Sequence, residues 1–267
     1  IDIALNLPPE DLESLEANEN VNVITSDSLT LVHSEMKQTV PPFSIQEVRL
    51  AMNLAIDNQS IIDNIMKGAA TIPQSPEPQS MDCFYGSDPY GYDPERAKEL
   101  LSQAGYPNGF KGTLWYIPGR WGGDTQVAEA MQAYWRAVGI EMDILTTDQS
   151  RNNEIVFTDP AELPGWTSLQ IRTSGYANYH LYRLFHSTSS NAGYSNPNVD
   201  ALLEQARQEI DNTKKCDLLT EAQKLIWEDA PFIEVFVRQN LLGVRDNVTG
   251  FEQLPTGDLR LTEADKN

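Results

Sequence analysis

The 267-residue sequence is poorest in the residues from which metal and redox sites are built, with two cysteines and three histidines. Cys83 and Cys216 stand far apart, in neither a metal-ligand spacing nor a CxxC pair. One disulfide and two free thiols are both open readings, so the cysteines do not settle the compartment. His33, His180 and His186 show no i,i+4 or HExxH spacing and no carboxylate accompanies them in a metal pattern, so they read as ordinary structural histidines. Neither a metal nor a cofactor is expected. A phosphate loop, a GxGxxG turn and a GxSxG elbow are all missing, which removes common signatures of nucleotide binding and serine hydrolysis. Positive charge is scarce as well: 19 Lys and Arg face 39 Asp and Glu, for a formal net charge of -20. Nucleic-acid binding needs clustered cations, and none cluster here. The acid excess reads instead as a solubilising surface suited to a salty or extracellular setting. No apolar run is long enough to span a membrane. The sequence begins at Ile1 with neither Met nor a basic-then-apolar leader, as expected of a processed product or an excised piece, which says nothing about secretion.

What is present suffices for a sizeable core, in one large or two smaller domains. A short helix is expected over Pro9–Ala17, then strands over Val21–Ser26 and Leu29–Ser34. Gln38–Phe43, with Pro41 and Pro42, reads as a breaker and hinge. Helices follow at Ser44–Ile56 and Gln59–Lys67, the first with Ile45, Val48, Met52 and Ala55 on one face. Thr71–Gly91 has no period and reads as a packed irregular excursion. Next comes YDPERAKELLSQAGYPNGF, residues 92–110. Asp93 can cap this helix, Pro94 suits its first position, and Ala97, Leu100, Leu101 and Ala104 share a face; Gly105 and Pro107 stop it.

Thr113–Ile117, Asp124–Val138 and the alternating Ile140–Ile144 predict a strand, a helix and a strand, a βαβ unit with a parallel pair. Short strands are expected near Glu154–Phe157 and Trp166–Ile171, and a helix near Tyr179–Phe185. Helices at Pro197–Ile210 and Asn212–Ala230 precede closing strands at Phe232–Arg238 and Leu241–Arg245. The last ten residues read as polar and loose.

Several segments resemble the family 5 extracellular solute-binding proteins, the peptide- and nickel-type receptors of bacterial ABC importers. They are DIALNLPPEDLESL from Asp2, VRLAMNLAID from Val48, the helix and turn at 92–110, GYSNPNVDALL from Gly193 and EAQKLIWEDAP from Glu221. They fall in the family's order across nearly the whole chain. The resemblance implies an α/β fold, a periplasmic-binding-protein-like (type II) lobe, with partial segments of the other lobe at both ends. Residues 37–238 would form lobe II, and 1–36 and 239–267 would be parts of lobe I. Family chains are longer, and the matched segments correspond to their C-terminal part. The implied partners are a small-molecule or peptide ligand and an ABC permease in the membrane. The implied setting is periplasmic or extracellular, with a lipoprotein anchor as one form, and the protein would act as a monomer.

Ligands of open α/β sheets sit beyond the carboxyl ends of the strands. The βαβ unit puts Pro118–Gly123 there, with Arg120 able to pair with a carboxylate and Trp121 able to supply apolar area. Dipeptide-binding relatives carry a carboxylate-binding Arg in this loop, aligned near Pro118. Gly165, Trp166 and Thr167 resemble the family's Gly-Trp segment, which lines the cleft. Peptide-binding relatives carry an Asp shortly after it, which pairs with the ligand's amino terminus. Here Ser168–Arg172 holds no acid. With Arg172 facing the cleft, an anionic or neutral ligand would be favoured over a free dipeptide. The alternatives are a ligand sensor or peptide-chaperone-like receptor on the same scaffold, and a carboxylate-dependent hydrolase. The hydrolase needs two acids with divergent pKa values, and no pair stands out.

Overall fold

The computed structural model describes residues 2–173 and 175–266, the side chain of Pro160 apart. In chain order the elements are β1 (Ile3–Leu5), a 3-10 turn at Pro9–Asp11 leading into α1 (Leu12–Glu16), β2 (Val21–Met36), α2 (Gln46–Leu54), α3 (Asn58–Asn64) and β3 (Ala70–Thr71). Then come α4 (Pro94–Gln103), β4 (Lys111–Tyr116), α5 (Asp124–Ala137), β5 (Glu141–Thr146), α6 (Gln149–Phe157) and β6 (Trp166–Thr173). Helices α7 (Ala177–Phe185), α8 (Pro197–Gln208) and α9 (Asn212–Asp229) precede the long β7 (Phe232–Arg245). The main sheet runs β1-β7-β2-β6-β4-β5, with β3 also on β7. The expected parallel pair is present: β4 lies parallel to both β5 and β6, and β2 is antiparallel to β6 and β7.

Side-chain alternation on the sheet sorts the core into two layers. Ile233 and Val235 of β7, with Val32 of β2 and Leu169 of β6, pack under α2 to α5. Phe232 faces the other way and joins Leu181, Leu203 and Ile226 of α7, α8 and α9. Helix α4 forms as its sequence dictates. The Asp93 carboxylate accepts from Arg96 N at 2.8 Å, and Ala97, Leu100 and Leu101 are buried. Gly105, at φ 90°, ends it while Tyr106 N reaches back to Leu101 O.

Four expectations need correction. The two N-terminal strands are one, Val21–Met36, and the two closing strands are one, Phe232–Arg245. Both are continuous because they pair with each other along most of their length; the register shifts between Asp27 and Leu31, at the polar interval, and again between Val32 and His33. Glu154–Phe157 is not a strand but the end of α6, whose Asp148 cap accepts from Arg151 N. The tail is paired, Leu259–Arg260 with Glu252–Gln253 and Asp265–Lys266 with Val248–Thr249, while Asn267 lies outside the described residues.

The excursion after β3 is pinned at several points. Cys83 and Cys216 form a disulfide to α9, and the Gln223 amide bridges Cys83 O and the Ser75 hydroxyl. Gln38–Phe43 is a tied-down turn, with Gln38 Nε2 donating to Pro231 O and Phe43 fully buried.

Candidate functional site

The β4–α5 loop turns on Gly119 and Gly123, both in the left-handed region at φ 79° and 90°. Gly123 caps α5, and the buried Asp124 carboxylate folds back to accept from Arg120 N at 2.9 Å. This fixes the loop and leaves the Arg120 side chain exposed, where Nη1 donates to Gln170 Oε1 on β6 at 3.2 Å. Trp121 points the other way, packed edge-on against Phe236 at 5.6 Å, with 9% of its surface exposed. Its area is therefore spent on anchoring the loop to β7, and Arg120 is the member of the pair that faces solvent. Gly122 lies under the Pro8–Glu10 segment, where an added Cβ would stand 3.1 Å from Pro9 Cδ.

Gly165, at φ 74°, opens β6 where it meets β4; an added Cβ would stand 3.2 Å from Lys111 O. Its carbonyl accepts from Thr113 N, and that of the half-buried Trp166 accepts from Lys37 N. Thr167 is wholly buried and donates to Glu35 O at 2.8 Å, while its oxygen accepts from the Ser34 hydroxyl at 2.7 Å. Gly165 and Thr167 thus stitch β6 between β4 and β2.

Arg172 is also buried. Its Nη2 donates to Pro76 O, its guanidinium lies 3.7 Å from Glu234 Oε1, and it stacks over Phe232 at 5.7 Å. Around it gather His180, bonded through Nδ1 to Glu77 Oε1 at 2.7 Å, and His33, bonded through Nε2 to Glu35 Oε1 at 3.3 Å. Burial, reinforced by the Arg172 charge, pushes the His33 pKa down to about 4. Burial likewise pushes Glu234 up to about 7, against the pull of Arg172. This cluster locks the excursion onto the sheet. Sequence reasoning missed it, although one signal was legible: Glu234 is the single acid inside an apolar strand. Among the described residues, no hydrogen bond or ion pair joins Arg120 to Arg172.

Two of the molecule's grooves bear on what it could hold. A groove of about 370 Å³ opens at the β2–β7 register break, its walls including Asn6, Ser28, Thr30, Thr173, Arg238 and Asn240. It borders the carboxyl end of β6, and Leu5 and Asn6 in its wall precede the Pro8–Glu10 segment that covers Gly122. A wider groove of about 660 Å³ lies over the disulfide, walled by Tyr176 and Tyr179, whose rings are largely exposed. Tyr176 therefore stands at the surface, whereas Leu181 of α7 is buried.

The family model described as bacterial extracellular solute-binding proteins, family 5 Middle, matches residues 1–207. The chain is 31% identical over 275 residues to the glutathione-binding protein GsiB of Pectobacterium atrosepticum, a match covering 98% of this chain and 52% of GsiB. The same protein of Escherichia coli (strain K12) is also 31% identical, with 53% of its length covered. Among solved structures, HbpA2 from Haemophilus parasuis superposes with a TM-score of 0.89 at 24% identity, covering all of this chain and 54% of that one. DppA from Helicobacter pylori, in complex with the peptide STSA, gives 0.84 at 24% identity and 52% coverage. The chain thus spans about half the length of the curated relatives it matches.

Proposed function

Because the chain belongs to the family 5 bacterial extracellular solute-binding proteins, we propose that it captures a small solute between two lobes and passes it to an ABC permease, with no chemical turnover. The solute class is peptide-like or another small polar molecule. The named relatives bind glutathione and the peptide STSA, and the exposed Arg120 favours a carboxylate. The observation that carries the reading is the polar groove at the carboxyl end of β6, together with the exposed Arg120 of the β4–α5 loop. The protein would act outside the cytoplasmic membrane, in the periplasm or tethered by a lipid anchor, as a monomer.

The lobe division is part of the same proposal. Val21–Asp27 pairs with Gln239–Arg245, and Leu31–Glu35 pairs with Phe232–Val237, on the two sides of the register break. This supports a boundary at 238/239, and we place the other, expected at 36/37, within the 27–31 interval as part of the proposal. Residues before and after would belong to lobe I and those between to lobe II, closing about the paired strands.

Native mass spectrometry of the purified protein, followed by calorimetry with glutathione and short peptides, tests the reading. A bound solute or saturable binding is expected. A protein that carries no solute, binds none of the panel and hydrolyses a peptide faster than background would overturn it.

A further inference from the structure

Arg238 occupies the middle of β7, where three half-buried residues interrupt two fully buried runs. Its own carbonyl accepts from the Ser28 hydroxyl, and its backbone pairs with Ala70. The side chain is different. Among the described residues its guanidinium donates no hydrogen bond and enters no ion pair, and its Nε is buried without a partner. Burial alone acts on its ionisation, pulling its pKa down, and no carboxylate offsets that pull. In a chain with 39 acids and a net charge of -20, an arginine sheltered from all of them is costly to keep. Asp258, the acid in the groove wall, is engaged by the Thr256 hydroxyl at 2.8 Å.

The surroundings supply what a carboxylate needs besides charge. Thr30 and Thr173 face each other through their hydroxyls at 2.9 Å, one hydrogen being free to turn outward. The Asn6 side chain lies in the same wall. The Leu254–Asp258 turn closes the groove and is held by Asn240 Nδ2, which donates to Leu254 O and to Asp27 O, and by Leu29 N, which donates to Pro255 O. The groove has a volume of about 370 Å³, room for a small organic acid or one end of a larger one.

We propose that this groove is an anion site in which Arg238 binds a carboxylate of a small solute, with Thr30, Thr173 and Asn6 as neighbouring donors. The assignment rests on the solute-receptor reading in taking that carboxylate to belong to the captured solute.

The test uses the chain labelled with nitrogen-15 in its arginine side chains, titrated with succinate and with its neutral counterpart succinamide. The Arg238 Nε signal is identified by its loss in Arg238→Lys. It should shift saturably with succinate and stay still with succinamide, and Arg238→Met should weaken succinate binding roughly 10- to 100-fold. Circular dichroism checks that both variants fold. A wild-type Arg238 signal unmoved by succinate, or one moved equally by succinamide, overturns the anion site whatever the variants do. The receptor reading fails by a different result, a protein that carries no solute, binds none of the calorimetric panel and hydrolyses a peptide faster than background, so the two failures are distinguishable.

Discussion

Arg49 of α2 caps the C-terminal end of α9, its Nη2 donating to Asp229 O at 2.8 Å and its Nε to Ala230 O at 3.2 Å. A third donor, Nη1, reaches Phe43 O at 3.0 Å. The Asp229 carboxylate accepts from the Tyr194 hydroxyl and the Asn196 amide, both within 2.7 Å. One buried guanidinium therefore holds the two helical layers across the sheet. Arg49→Met should lower stability by about 2–4 kcal/mol, because it strands carbonyls that have no other donor among the described residues. Urea unfolding checks this, and a loss below about 0.5 kcal/mol would show that the clamp is idle.

Arg120 makes the opposite prediction. Its side chain is exposed, and the loop is held by its backbone N–H rather than by its guanidinium. Arg120→Ala should leave stability within about 0.5 kcal/mol while weakening binding of an acidic solute roughly 10-fold or more. Calorimetric melting and titration on the same preparation separate the two effects, and unaltered affinity would remove Arg120 from the site.

The disulfide closes a loop of sequence separation 133 and pins an excursion with almost no regular structure of its own. Replacing both cysteines by serine should cost about 2–5 kcal/mol, the range expected for a loop of this size. Denaturation midpoints with and without reductant measure it. Loss of the excursion before the rest would be seen as early proteolytic cutting within residues 71–91.

Glu234 sets a pH dependence of unusual sign. Its folded pKa, raised to about 7 by burial, lies above the unfolded value of 4.5, so the native state holds its proton longer. Stability from this group is present below about pH 4.5 and is lost as the pH climbs through 7. His33 works in the other direction, since its folded value of about 4 lies below the ordinary 6.5. Its contribution is present above 6.5 and is lost as the pH falls toward 4. The two oppose each other between pH 4.5 and 6.5, with Arg172, Glu77 and Glu35 as the charges acting on Glu234. Glu234→Gln should therefore gain on the wild type as the pH rises from 5 to 8, by up to about 3 kcal/mol. A difference that stays flat with pH would mean that Glu234 is ionised throughout.

Much of the scaffold was legible because local signals agreed. Asp93, Pro94 and Gly105 bracket α4 as capping rules require, and the βαβ unit follows from strand alternation on either side of α5. The long strands were not legible. Ser26–Ser28 and Gln239–Asn240 look like breakers, and only their pairing with one another keeps the chain extended through them. Arg120 was readable from its place after β4. Trp121 and Arg172 were readable as residues but not as directions, since burial of either depends on Phe236 and on Glu234 and Pro76, all distant in sequence. The groove around Arg238 had no sequence signal, because its walls come from Asn6, Thr30, Thr173 and the tail at once.

The position of β7 in the sheet bears on how the chain comes to be folded at all. It lies between β1 and β2, so Ile3 finds its partner only at Val244 and Val21 only at Arg245. During synthesis the first two strands emerge with their shared neighbour still unmade, and they must wait for nearly the whole chain. The sheet is thus completed by its interior strand rather than at an edge, which sets a high contact order and slow folding. Until that strand arrives, β2 presents an unpaired row of backbone groups along most of its length. The sheet cannot be completed until residues 232–245 have been made.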